Sequence, residues 1–184
     1  MRWDELFADL EAQYDAAQDA EFAAEVSDRT RREFALVRLV DRLRPVVGQP
    51  VMLRVTGAGV LEGRLIGVGP DWLLLGELGG REALVALPAV LSVGGLTAQS
   101  ASAGSEGKVA ARLTMAFALR GIVRDRSAVT LTYIDGATTT GTFDRVGSDF
   151  VEIAEHPPGE LRRGDVVRTV RTVPLAAVAT VRRS

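Results

Sequence analysis

The segment Gly141-Thr-Phe-Asp-Arg-Val-Gly-Ser-Asp-Phe150 has a counterpart 78 residues earlier in the chain, Gly63-Arg-Leu-Ile-Gly-Val-Gly-Pro-Asp-Trp72. Both segments carry glycine at the first and seventh positions, an apolar residue at the third and sixth, and aspartate followed by an aromatic residue at the end. Chance does not readily place two glycines and an aspartate–aromatic pair at a single offset. The chain therefore contains the same strand-rich unit twice, at about residues 51–93 and 129–181.

Alternating apolar and polar residues precede each segment, at 51–55 and at 129–133, and this period of two is typical of β-strands. Ten additional residues, at about 156–166, lengthen the second unit before the match resumes at an offset of 88. Gly63 and Gly141 fall in the middle of strands, where glycine permits a sharp bend. We therefore predict that each unit is a bent five-stranded antiparallel meander that closes into a small barrel, which removes exposed edges.

The second unit resembles the Sm-like family of SH3-type small barrels. The resemblance rests on Asp135-Gly136, on the segment from Gly141 to Phe150, and on Val173-Pro-Leu-Ala-Ala-Val178. It implies an α+β fold in which an N-terminal helical segment is followed by two Sm-like five-stranded β-barrels, each preceded by a helix. It also implies that edge strands pair to form oligomers.

Two departures from that family bear on ligand binding. RNA-binding Sm proteins have asparagine after the aspartate–aromatic element, where this chain has Val151, or Glu152 if the alignment shifts by one. They also have an arginine- or lysine-glycine motif at the last turn, where this chain has Pro174-Leu-Ala176 and, in the first unit, Leu87-Pro-Ala89. The resemblance therefore does not imply the family's uridine pocket.

Residues 1–26 have the periodicity of a helix, and their apolar stripe is a candidate for docking onto a partner: Trp3, Leu6, Phe7, Leu10 and Tyr14. Acidic residues dominate as far as Asp28, and arginines dominate from there to Arg44. Thr30 to Glu33 fits a capping box, which favours a second helix over about 28–44. One long helix is equally compatible with the pattern. Whether the acidic and basic parts pair within one chain or between subunits also stays open.

The boundaries of the predicted organisation follow from changes in composition. We expect a helical segment at 1–44, a first barrel at 45–95, a flexible linker at 96–108, and a helix with the second barrel at 109–184. The linker is rich in glycine, serine and alanine and has no periodicity.

Composition excludes several classes of function. The 184 residues include no cysteine, so disulfides, thiol catalysis and zinc–thiolate sites are excluded. Net charge is -2, and we find neither a signal peptide nor a transmembrane stretch, so we expect a soluble cytoplasmic protein without membrane contact. We also expect no enzyme activity, cofactor or metal. His156, the single histidine, is predicted to be a solvated loop residue because it precedes Pro-Pro-Gly.

Two functional hypotheses remain. The first is a non-enzymatic interaction or assembly module that binds a protein partner or itself through the N-terminal helix and the barrel edges. The alternative is RNA binding, with DNA less favoured, through arginines of the second unit: Arg145, Arg162, Arg163, Arg168 and Arg171.

Overall fold

The computed structural model describes residues 3–102, 104, 107, 110–157 and 167–183. The chain divides into two compact units, residues 1–38 and 39–184.

The first unit is one long helix, α1 (Trp3–Ala35), of 33 residues. At a rise of 1.5 Å per residue it is about 50 Å long. Of the two arrangements that the sequence left open, a separate helix beginning near residue 28 is not formed, because the Thr30 hydroxyl donates to the Val26 carbonyl at 2.8 Å, one turn back in the same helix. The acidic residues and the arginines up to Arg32 therefore share one continuous helix and cannot fold back onto one another.

In the described residues, the second unit contains ten strands and two short helices. Helix α2 (Leu39–Leu43) precedes the first five strands, and helix α3 (Met115–Asp125) precedes the last five. The strands of the first half are β1 (Pro50–Val55), β2 (Gly59–Val68), β3 (Trp72–Glu77), β4 (Glu82–Ala86) and β5 (Val90–Gly94). Those of the second half are β6 (Ala128–Tyr133), β7 (Thr138–Val146), β8 (Phe150–Glu155), β9 (Thr169–Pro174) and β10 (Val178–Arg183). Three-residue 3₁₀ turns lie at Arg44–Val46, Leu87–Ala89, Ala110–Arg112 and Leu175–Ala177.

All ten strands belong to one antiparallel sheet, in the order β5-β1-β2-β3-β4-β10-β6-β7-β8-β9. The prediction of two five-stranded barrels is therefore wrong. The two halves do not end as separate barrels, because β4 of the first half hydrogen-bonds to β10 of the second. Buried side chains of both halves also form a single apolar cluster that includes Leu53, Leu73, Leu131 and Ile153.

The two halves nevertheless have the same internal strand order, since β10-β6-β7-β8-β9 repeats β5-β1-β2-β3-β4. Each second strand has a bulge at the same place, between Leu65 and Gly67 in β2 and between Phe143 and Arg145 in β7. Each residue of the second half therefore has a counterpart in the first half, 78 positions earlier as far as β8 and 88 positions earlier from β9 onwards.

Residues at the start of β3 hold helix α3 against the first half. The Asp71 carboxylate accepts a hydrogen bond from the Met115 backbone N–H at 2.7 Å, which satisfies one of the unpaired amides at the helix start. The Trp72 indole N–H donates to the Leu113 carbonyl at 2.6 Å. The aspartate–aromatic pair of the first half thus anchors the helix that leads into the second half.

The mid-strand glycines are sites where two backbones approach closely. A Cβ atom at Gly63 would collide with the carbonyl oxygen of Gly76, and one at Gly141 would collide with that of Ala154. Both obstacles are backbone atoms of the neighbouring strand, which cannot move without disturbing the sheet. Glycine at these two positions is therefore required by the strand spacing.

We expect Gly141→Ala to lower the free energy of unfolding by about 1–3 kcal/mol, because the added methyl group forces β7 away from β8. Gly121→Ala is the matched control, since Gly121 lies within α3 with no atom in the way of a Cβ. The control should gain up to about 1 kcal/mol from helix propensity. Urea unfolding of both variants measures the difference, and equal midpoints would contradict the close approach.

Candidate interaction site at the sheet edges

The internal junction, where β4 meets β10, is the contact that joins the two halves. It pairs Ala83 with Arg182, Leu84 with Val181, and Val85 with Thr180. Ala83, Val85 and Thr180 are fully buried. The backbone ladder and these side chains make this pairing part of the core.

An ion pair closes one end of the internal junction. The Arg182 guanidinium donates two hydrogen bonds to the Glu77 carboxylate, from Nε to Oε2 at 3.0 Å and from Nη2 to Oε1 at 2.9 Å. Both side chains are largely shielded, with 25% and 20% of their surface exposed. The hydrogen bond from Arg182 outweighs the effect of burial and lowers the pKa of Glu77 below its ordinary value of 4.5.

The sheet ends in two edge strands, and these are the counterparts of the strands at the internal junction. Within the described residues, β5 pairs only with β1 and β9 pairs only with β8. Strand β5 corresponds to β10, and β9 corresponds to β4. Each chain therefore has two unpaired edges. One is the counterpart of β4 and the other is the counterpart of β10, the two strands that meet at the internal junction.

The edge β5 carries an exposed apolar side chain. Leu91 is 63% exposed, whereas its counterpart Ala179 is fully buried beside the internal junction. Ser92 and Val93, the next residues along β5, match Thr180 and Val181 in chemical type. The β5 edge thus has the composition of a strand that is covered elsewhere in the same chain.

The arginines predicted to contact nucleic acid are partly engaged by carboxylates. Arg145 donates to Glu152 through Nε at 2.8 Å and Nη2 at 2.9 Å, and Arg171 donates to Glu155 through Nε at 2.9 Å. These hydrogen bonds raise the pKa of both arginines. Arg168 is exposed next to β9. Arg162 and Arg163 lie outside the described residues.

The docking stripe predicted on the N-terminal helix is partly described. Phe7, Leu10 and Tyr14 lie on α1 with 57%, 51% and 65% of their surface exposed. The backbone of Trp3 and Leu6 belongs to the same helix, but their side chains lie outside the described part. Large exposed apolar side chains continue beyond the predicted stripe, at Phe22, Val26 and Phe34.

The prediction that His156 is solvated is wrong. Only 2% of its surface is exposed, and its Nε2 lies 2.8 Å from the Thr142 hydroxyl. Its Nδ1 lies 3.0 Å from the Pro157 carbonyl oxygen, which can only accept, so Nδ1 donates this hydrogen bond. The alignment could not predict this burial, because His156 stands where the additional residues of the second unit begin.

The part of the chain that the structure describes contains no group of three or more His, Cys, Asp or Glu side chains suited to a metal ion. In that part, no helix combines the length and the apolar character needed to cross a membrane.

No family model, curated protein or solved structure matches this chain. Nothing in these comparisons identifies the Sm-like family. The case for a function therefore rests on the geometry of the sheet and of its two edges.

We expect Glu77→Gln to lower the free energy of unfolding by about 1–3 kcal/mol at pH 7, because Arg182 then lacks a charged partner in a partly buried place. A carboxyl whose pKa is lowered by folding stabilises the fold above its unfolded-state pKa, near 4.5, and loses this contribution as the pH falls through the lower folded pKa. The difference in free energy of unfolding between wild type and Glu77→Gln should therefore disappear as the pH falls below about 4.5.

Urea unfolding at a series of pH values tests this expectation. Glu82→Gln is the control, because Glu82 is an exposed carboxylate on β4 for which the same change removes the same charge. If the difference for Glu77→Gln were independent of pH, or if Glu82→Gln behaved in the same way, the ion pair would not stabilise the junction.

Proposed function

We propose that this protein is a non-enzymatic assembly module whose chains associate by pairing β9 of one copy with β5 of the next. The observation that carries the proposal is that the two unpaired edges are the counterparts of β4 and β10. The internal junction is therefore an observed contact of the same kind as the one proposed between the edges of two copies.

The internal junction also specifies the alignment of the proposed contact. The counterparts of Ala83, Leu84 and Val85 on β9 are Arg171, Thr172 and Val173, and those of Thr180, Val181 and Arg182 on β5 are Ser92, Val93 and Gly94. Transfer of the pairing places Val173 opposite Ser92, Thr172 opposite Val93, and Arg171 opposite Gly94. The strands run antiparallel, as β4 and β10 do. Backbone hydrogen bonds supply affinity in this mode of recognition, and alternate side chains supply specificity.

The contact joins two different surfaces, so every chain keeps one edge of each kind after it has bound one neighbour. Such heterologous contacts produce rings when the rotation closes and filaments when it does not. An unpaired edge strand also risks uncontrolled aggregation, and proteins usually cover it. Pairing with another copy would satisfy this need at both ends of the sheet.

Helix α1 offers a second surface for protein contact. Its described side chains include the exposed Leu10, Tyr14 and Phe22, an apolar set on a helix that also carries many charged residues. Because the acidic and basic parts lie on one continuous helix, the acidic part of one α1 can pair with the basic part of an α1 only in a second copy of the chain. We therefore include α1 in the proposed interaction module, alongside the sheet edges.

RNA binding is less well supported by the charges of the second half. Glu152 and Glu155 bind the guanidinium groups of Arg145 and Arg171 and partly offset their positive charge, which weakens their attraction for a phosphate. A groove of about 1210 Å³ runs past Arg124, Arg126 and Arg145, but Asp144 and Glu152 line it as well. Salt-dependent binding of a mixed RNA by the full chain, lost in Arg168→Ala and in Arg145→Ala, would favour RNA over assembly.

We expect Leu91→Glu to weaken self-association by about tenfold or more, because a charge would be desolvated at the covered edge. The matched control is Val60→Glu: Val60 is 59% exposed on β2, a strand with neighbours on both sides. Sedimentation velocity over a range of concentrations measures association, and circular dichroism checks that both variants fold. A wild-type chain that stays monomeric at every concentration sinks the proposal, as does equal association of the two variants.

A further inference from the structure

The residue pair at one end of the internal junction is reversed in the proposed contact between copies. In the internal junction Arg182 on β10 lies opposite Ala83 on β4. Their counterparts are Gly94 on β5 and Arg171 on β9. The large and the small residue have therefore exchanged strands, and each contact contains one arginine opposite a small residue.

In the internal junction and in the proposed contact, the glutamate at the equivalent position is bound by an arginine. Glu77 ends β3 and is held by Arg182, which reaches it from the opposite strand of the junction. Its counterpart Glu155 ends β8 and is held by Arg171, which belongs to the neighbouring strand on the same side. Each contact thus supplies one arginine for one carboxylate, and neither contact leaves a charge without a partner as water is excluded.

The surroundings of Gly94 have room for an arginine from another chain. Gly94 and Gly95 line an open cavity of about 740 Å³, whose other walls include Met52, Glu77 and Leu78. The counterparts of the two glycines are Arg182 and Arg183, whose side chains bind Glu77 and Asp125. The first half has no side chains at these two positions, and the space beside the β5 edge is open.

We propose that Gly94 and Arg171 form a size- and charge-matched pair that fits the β5 edge of one copy to the β9 edge of the next. This inference rests on the proposed self-association and names the residues that select the partner edge. Arginine on β5 would face Arg171 across the contact, so two guanidinium groups would compete for Glu155. Arginine on β5 opposite alanine on β9 would instead recreate the internal junction, with Glu155 in the place of Glu77.

The test is an exchange of the two residues in the full-length chain. Gly94→Arg should raise the dissociation constant of self-association by about tenfold or more through repulsion and crowding. The double variant Gly94→Arg with Arg171→Ala should return it to within about threefold of wild type, because the pair then matches Arg182 and Ala83. Folding of Gly94→Arg is expected, since a Cβ at Gly94 meets only Met52 atoms at ordinary distances of 3.6 and 3.8 Å.

A mixture adds a second, independent measurement. The Gly94→Arg and Arg171→Ala chains should co-assemble in alternation. The arginine on β5 of the first variant then lies opposite the alanine on β9 of the second, and Gly94 of the second lies opposite Arg171 of the first. Gly121→Arg serves as the control for an added arginine, since it lies on α3 in open space and should associate like wild type. Sedimentation velocity of each chain alone and of the equimolar mixture gives the comparison.

The possible results separate this inference from the proposed function. If wild type does not associate, or if Leu91→Glu has no effect on its association, the edge contact itself is wrong. If Leu91→Glu disrupts association but Gly94→Arg does not, or the double variant stays as weak as Gly94→Arg, only the matched pair is overturned. Restoration in both the double variant and the mixture supports the pair.

Discussion

Three residue pairs between β4 and β10 hold the two halves of this protein in one sheet, and the ion pair of Arg182 with Glu77 closes that contact. The two charged residues are 105 positions apart in the sequence. Without this contact the strands of each half would end in edges of their own, and the buried faces of Ala83, Val85 and Thr180 would be exposed. The contact converts two similar sets of five strands into one fold with a shared apolar core.

The same contact determines which edges remain. Because β4 and β10 are used inside the chain, the strands left over are β5 and β9, which are their counterparts. A duplicated unit with a single internal contact therefore always presents one unused edge of each kind. The proposed assembly uses these two remaining edges. Leu91 on β5 is exposed where its counterpart Ala179 is buried, which agrees with this assembly.

Local signals in the sequence predicted the strands well and the long-range pairing poorly. Period-two alternation indicated strands near Val51 and Val129, and β1 and β6 begin one residue earlier in each case. The join of β4 to β10 has no local signal, because any apolar strand edge looks suitable until a distant partner is known. For this reason the glycine-permitted bends predict closure into barrels, which the structure does not contain. The capping pattern at Thr30 failed in another way, since the same hydroxyl bonds equally well within a continuous helix.

The exchange of arginine between the two contacts also bears on wrong pairings. If β4 of one chain paired with β5 of another, Ala83 would lie opposite Gly94, and Glu77 would be desolvated without an arginine from the opposite strand. If β9 paired with β10, Arg171 would lie opposite Arg182, with two guanidinium groups at Glu155. Each mismatch leaves a charge unbalanced in a place from which water is excluded, which is costly. One pair of residues in each would thus keep the internal junction and the proposed contact between copies from exchanging strands.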